Sequence, residues 1–159
     1  MEEILELLSE DARLTPAQIA ERTGKTEAKV KEAIAKLEKE KIIRRYKTVI
    51  DWERAGVEHV FGFIEVRCSP ERGVGFDAVA ERIMEFPEVH SLYLMSGAYD
   101  FLVVVQGSNM RDIAYFVAEK LAPLDHISST ATHFVLKRYK VDGDIIVERS
   151  EVKRLPVTP

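Results

Sequence analysis

Two groups of side chains in this 159-residue chain could do chemistry. The first is cationic. Between Lys25 and Lys47 there are nine Lys or Arg against four Glu, a local excess that attracts a polyanion such as a nucleic-acid backbone. The second lies in "LMSGAYDFLVVVQ", residues 94–106, where Tyr99 and Asp100 stand at the mouth of an almost wholly apolar run. Histidines 59, 90, 126 and 133 are the natural candidates for a metal or acid–base site, but their spacing does not support one. No His-x-x-x-His pair falls on a helix, and His126 and His133 are an odd number of residues apart, so on one strand they face opposite ways. The chain has no glycine-rich phosphate loop and no nucleophile elbow. The lone Cys68 has no companion for a disulfide or a metal cluster. Catalysis, a metal and a bound cofactor are therefore not expected.

The elements that must position these residues are legible from pattern. Composition is that of a folded soluble chain, 46% hydrophobic and 31% charged, without the run of about 20 apolar residues that a membrane span needs. The opening "MEEILELL" is acidic and amphipathic, unlike a secretory leader, so the cytoplasm is the expected compartment and no membrane partner is expected. Net charge is −4, yet residues 51–159 alone carry twelve basic and seventeen acidic side chains. A basic segment on an acidic body implies two modules with different partners.

In "EEILELLSED" the residues Ile4, Leu7 and Leu8 form one helical stripe. In "LTPAQIAERTG" Thr15 and Gln18 make a capping box with Pro16 at the first helical position, and Gly24 closes the helix. Thr26 caps a third helix, "TEAKVKEAIAKLEKEK", with Val30, Ala33, Ile34 and Leu37 on one face and Lys29, Lys31, Lys36 and Lys39 on others. Helix, helix, tight turn and basic helix is the order of a helix-turn-helix, whose third helix enters the major groove of duplex DNA. The alternating "IIRRYKTVI" reads as a strand, a wing that sets Arg44, Arg45 and Lys47 against phosphates.

After residue 60 the order is strand, helix, strand, strand, helix, strand, which is the ferredoxin-like βαββαβ unit with both helices on one sheet face. The first and third strands should lie in the middle, and both are apolar on both faces. Phe61 and Phe63 oppose Ile64 and Val66, while Phe101, Val103 and Val105 oppose Leu102 and Val104. Helices cover one face only, so a second copy of the chain is the expected cover for the other. A two-fold pair of readers would then meet a pseudo-palindromic site.

From about Ile4 to Lys140 the chain resembles the Lrp/AsnC, or feast/famine, transcription regulators. The resemblance rests on "LSEDARLTPAQIAERTGKTEAKVKEAIAKLEKEKIIRRYKTVID", and on "GAYDFLVVV" followed by "MRDIAYFVAEKL". It implies an effector, usually an amino acid, bound where ligand domains of neighbouring subunits meet, near the turn of Gly97, Ala98, Tyr99 and Asp100. There Gly97 permits a tight turn, Tyr99 supplies an apolar wall with a polar tip, and Asp100 is an acceptor for an α-ammonium group. In "SSTATH" the hydroxyls of Ser129, Thr130 and Thr132 are candidates for its carboxylate. The alternative is that Tyr99 and Asp100 only bond the hairpin and interface together.

Many such regulators place Arg in the middle of the recognition helix, where this chain has "KEAIAKL". That moves the expected base contacts to Lys25, Thr26, Glu27, Lys29 and Lys31. The sirohaem decarboxylases resemble the same two domains. In "VHSLYLMSGAYDFLVVV" the chain keeps their His90 and Tyr93, but has Met95 and Ser96 where a basic pair is expected, and Asp100 rather than Asn. A third reading is an effector-binding protein that no longer binds DNA, against which the intact caps and basic third helix argue.

The expected organisation is α+β: a winged helix-turn-helix over 1–50, a hinge over 51–59, a ferredoxin-like effector and oligomerisation domain over 60–138, and a C-terminal hairpin and tail over 139–159. Asp142-Gly143 is the hairpin signal.

Overall fold

The computed structural model describes residues 1–69 and 75–147. The chain divides into two units, residues 1–50 and 51–159.

The first unit holds α1 (Glu2–Glu10), α2 (Pro16–Thr23) and α3 (Glu27–Lys39). The caps are those the sequence predicts. The Thr15 side chain accepts from the Gln18 N–H at 3.3 Å, the Thr15 N–H donates to Gln18 Oε1 at 2.9 Å, and Gly24 ends α2 in the left-handed conformation at φ 65°. Ile4, Leu8, Leu14, Ile19 and Val30 are buried together, with Ala33, Ile34 and Ile43 packed against them. Each full burial of a Val, Leu or Ile contributes about 1.5–3 kcal/mol, so this small core is enough to fix α3 against α1 and α2.

The strand expected over residues 42–50 does not form. Lys41 turns the chain at φ 56°, the Ile42 and Ile43 N–H groups donate to the Leu37 carbonyl, and the segment beyond has no ladder partner among the described residues. A wing needs two paired strands, and this part of the sequence supplies a single alternating run.

The second unit begins with a turn over 52–56 rather than an open linker. Asp51 Oδ1 accepts from the Arg54 N–H at 3.1 Å, and Trp52 meets His59 edge-on at 5.3 Å. It then runs β1 (Val60–Cys68), α4 (Phe76–Met84), β2 (Val89–Leu94), β3 (Phe101–Gly107), α5 (Met110–Phe116) and β4 (Ile127–Phe134). Helix α5 widens into a π-helical turn over Val117–Leu121. The sheet order is β2-β3-β1-β4, antiparallel throughout, with the first and third strands central. Ile64, Val66, Phe101, Val103 and Val105 bury one sheet face against Val79, Ile83, Ile113, Phe116 and Leu121. Edge-on ring pairs, Phe76 with Phe101 at 5.9 Å and Phe86 with Phe116 at 5.5 Å, lie within that layer.

The hairpin signalled by Asp142-Gly143 is present. Both residues take positive φ, 48° and 95°, as a tight two-residue turn requires, and β5 (Lys140–Val141) pairs with β6 (Asp144–Ile145). The tail "RLPVTP" lies outside the described residues.

Candidate DNA-reading and effector sites

The reader is built on α3. Its N-terminus is set by Thr26, whose side chain accepts from the Lys29 N–H at 3.4 Å, so that hydroxyl is already committed to the helix end. Lys25 is paired with Glu3 of α1, which holds the Glu3 carboxyl below the usual carboxylate range. Lys31 Nζ lies 2.7 Å from Glu27 Oε1 one turn back, and Lys36 lies 3.9 Å from Glu40. Lys29, Arg44, Arg45 and Lys47 form no ion pair among the described residues, and all four are exposed. The Tyr46 hydroxyl donates to Glu38 Oε1 at 2.9 Å, which ties the basic segment alongside the second half of α3.

The candidate effector turn, Gly97–Asp100, lies at one end of the second unit's sheet. Gly97 takes φ 140°, a conformation that L side chains rarely adopt, although a Cβ there would meet nothing within 4 Å. The requirement at Gly97 is thus one of backbone, not of space. Ala98 is exposed, while Tyr99 and Asp100 are half-buried. Asp100 closes the hairpin: its carbonyl accepts from the Met95 N–H at 2.8 Å, and its own N–H donates to the Val66 carbonyl at 3.0 Å. Its carboxylate Oδ2 accepts from the Cys68 N–H at 2.7 Å, where β1 slips register against β4 between Arg67 and Cys68. On its β3 side β1 runs two residues past its last pair, Val66 with Phe101, and there Asp100 supplies the acceptor for the Cys68 N–H. Asp100 thus stitches β3 to the end of β1, with one carboxylate oxygen engaged.

The hydroxyls of "SSTATH" do not form one set. Thr130 and Thr132 pair with Val66 and Ile64 and share their helix-covered face, whereas Ser129 pairs with Arg67 on the opposite face. Strand period two separates them. Ser129 and Asp100 sit at the same end of the sheet, two strands or roughly 10 Å apart.

Cys68 is a residue the sequence offered no role. Burial, and secondarily the Asp100 carboxylate, pushes its thiol up to about 11. At pH 8 its thiolate fraction, and so its alkylation by iodoacetamide, should be about a hundredfold below that of an ordinary thiol. Because burial is the larger cause, Asp100→Asn should speed the reaction only slightly, while denaturant should restore the full rate.

The face of the sheet away from the helices carries Phe61, Phe63, Leu102, Val104 and Tyr93. Phe63 is 38% exposed and Tyr93 52%. Within this patch His133 Nε2 lies 3.3 Å from Glu65 Oε1. Among the described residues no group of three or more His, Cys, Asp or Glu is placed to hold a metal, and no helix is long and apolar enough to cross a membrane.

A three-helix reader with an exposed basic third helix, followed by a ligand-type α+β sandwich, defines a DNA-binding transcriptional regulator. Residues 2–44 match the winged helix-turn-helix DNA-binding model, and residues 62–145 match the Lrp/AsnC ligand binding domain. The chain belongs to the Lrp/AsnC family. It is 50% identical over 158 residues, 99% of this chain and 95% of the other, to the HTH-type transcriptional regulator YugG of Bacillus subtilis. It is 29% identical over 140 residues to the proline dehydrogenase transcriptional activator of Rhizobium radiobacter, covering 88% of this chain and 89% of that one. Among solved structures, a Neisseria meningitidis transcriptional regulator in complex with L-Met superposes with a TM-score of 0.71 at 25% identity, over 87% of this chain and 89% of that one. These relatives are regulators and lend nothing to the sirohaem reading.

Proposed function

We propose that this regulator senses a small amino acid and that binding changes its assembly and its affinity for an operator. The observation that carries the reading is the Gly97–Asp100 turn. Glycine-only backbone and a half-buried carboxylate, with one oxygen held by the Cys68 N–H, leave the other oxygen for an ammonium donor. The ligand-binding model spans this turn, and the Neisseria relative was solved with L-Met. An amino acid can act as a switch only by binding one assembly more tightly than another.

The assembly is a pair, or a higher multiple, in which a second copy covers the Phe61, Phe63, Leu102 and Tyr93 face. An exposed patch of this kind on an otherwise charged domain is the sign of a protein contact. Lys29, Arg44, Arg45 and Lys47 serve the DNA phosphates, residues 1–50 forming the reader and 60–138 the sensor, with 51–59 between them. The protein works in the cytoplasm, where its DNA is.

The test is a thermal-shift screen of the full chain against the twenty amino acids, with light scattering on each hit. One amino acid should raise the midpoint and alter the assembly. Asp100→Asn, which keeps an acceptor for the Cys68 N–H but removes the charge, should abolish that shift. A shift retained in Asp100→Asn would place the pocket elsewhere.

A further inference from the structure

Helix α3 buries Val30 and Leu37, with Ala33 and Ile34 partly buried beside them. At about 100° per residue, the direction opposite that stripe is occupied by Ala28, Glu32, Ala35 and Lys39, each within about 30° of it. All four are exposed. The other lysines straddle this line: Lys31 stands roughly 70° to one side, and Lys36 and Lys29 roughly 70–90° to the other. A helix laid in a major groove about 12 Å wide meets phosphates on both walls and base edges on the floor. The flanking lysines thus face the walls, while Ala28, Glu32 and Ala35 face the floor, with Lys39 on the same line at the last turn of the helix.

Glu32 is distinctive within this stripe. Lys29 and Lys36 stand three and four residues away, within reach for an ion pair, yet Glu32 forms none among the described residues, Lys36 being drawn to Glu40 instead. An unneutralised carboxylate pointing at DNA is repelled by every phosphate, so it weakens binding to any sequence that gives it no donor. In the major groove the donor that matches a carboxylate is the cytosine N4 amino group, and the group that matches an alanine methyl is the thymine methyl.

We infer that Glu32, with Ala28 and Ala35 beside it, is the base-reading element of the recognition helix and selects cytosine within a thymine-bearing half-site. This replaces the expected base contacts at Lys25, Thr26 and Glu27: Thr26 is committed to the helix cap, Lys25 to Glu3, and Glu27 to Lys31.

The experiment is selection of bound duplexes from a randomised library by the full-length protein, repeated with Glu32→Gln and Glu32→Ala. The wild type should enrich cytosine at one position of each half-site, by about tenfold over the other bases. Glu32→Gln should move that one position toward adenine, which a glutamine amide pairs bidentately, and Glu32→Ala should erase the preference there while leaving neighbouring positions unchanged. Because the side chain is solvent-exposed, both variants should keep the wild-type melting midpoint. The same base at that position in all three proteins would overturn the assignment. So would a uniform loss of affinity at every position, since that would make Glu32 a helix-stabilising residue rather than a reader.

Discussion

Replacing Phe63 with glutamate should leave each chain folded and separate the assembly into monomers. Phe63 sits on the central strand β1 with its side chain turned away from the helices, so the Ile64 and Val66 core does not depend on it. If a second copy covers this face, the substitution puts two unpaired carboxylates, one per chain, into a contact that otherwise excludes water. Each such burial costs several kcal/mol, and the adjacent Glu65 on the same face adds a like charge. The dissociation constant of the pair should rise by on the order of a thousandfold or more, a change of about 4 kcal/mol. Sedimentation across a hundredfold concentration range would show it, with circular dichroism as the check on folding. An unchanged mass would mean that the Phe63 face is not where copies meet. A monomer that still folds would also bind a two-fold operator weakly, having one reader to offer where the pair has two.

The sheet was readable from sequence because its signal is one of alternation, and alternation survives any tertiary arrangement. The same parity that predicts two apolar faces on β1 and β3 places Ile64 and Val66 in the core and Phe61 and Phe63 outside it. The helix caps were readable for a similar reason: Thr15, Gln18, Gly24 and Thr26 act within a few residues of themselves. The wing was not. "IIRRYKTVI" has a strand's pattern, but a strand exists only by pairing, and no partner lies within the described residues. Local propensity could not report that absence.

The Gly97–Asp100 turn shows the same boundary between local and distant causes. Gly97 and Asp100 stand out in sequence, yet the Cys68 N–H that engages Asp100 is 32 residues away, where β1 runs past its last β3 pair, and no local pattern announces it. Ser129, Thr130 and Thr132 could have been separated beforehand, since strand period two alone sends Ser129 to the other face. In the reader, the charge excess was legible but its distribution was not. Which lysines are neutralised depends on Glu3, Glu27 and Glu40, and only the first of these lies on another element.

That distribution makes the triple substitution Arg44→Ala, Arg45→Ala and Lys47→Ala the most informative test of the reader. These side chains are exposed, carry no ion pair among the described residues, and follow α3 on a segment tied to it through Tyr46 and Glu38. No described intramolecular pair is lost with them, so the loss should appear in binding and not in folding. Each phosphate contact contributes about 0.9 to the slope of log affinity against log salt, so removing three should flatten it by about 3 for one reader and about 5 for a pair. Affinity at low salt should fall by orders of magnitude, while the ratio between operator and unrelated duplex should change little, because phosphates carry no sequence information. This is the opposite of what Glu32→Gln should do, which is to alter the preferred base with little change in slope. If the triple variant keeps the wild-type slope, the cations after α3 do not touch DNA, and the phosphate contacts must come from Lys29, Lys31 and Lys36 on the helix itself.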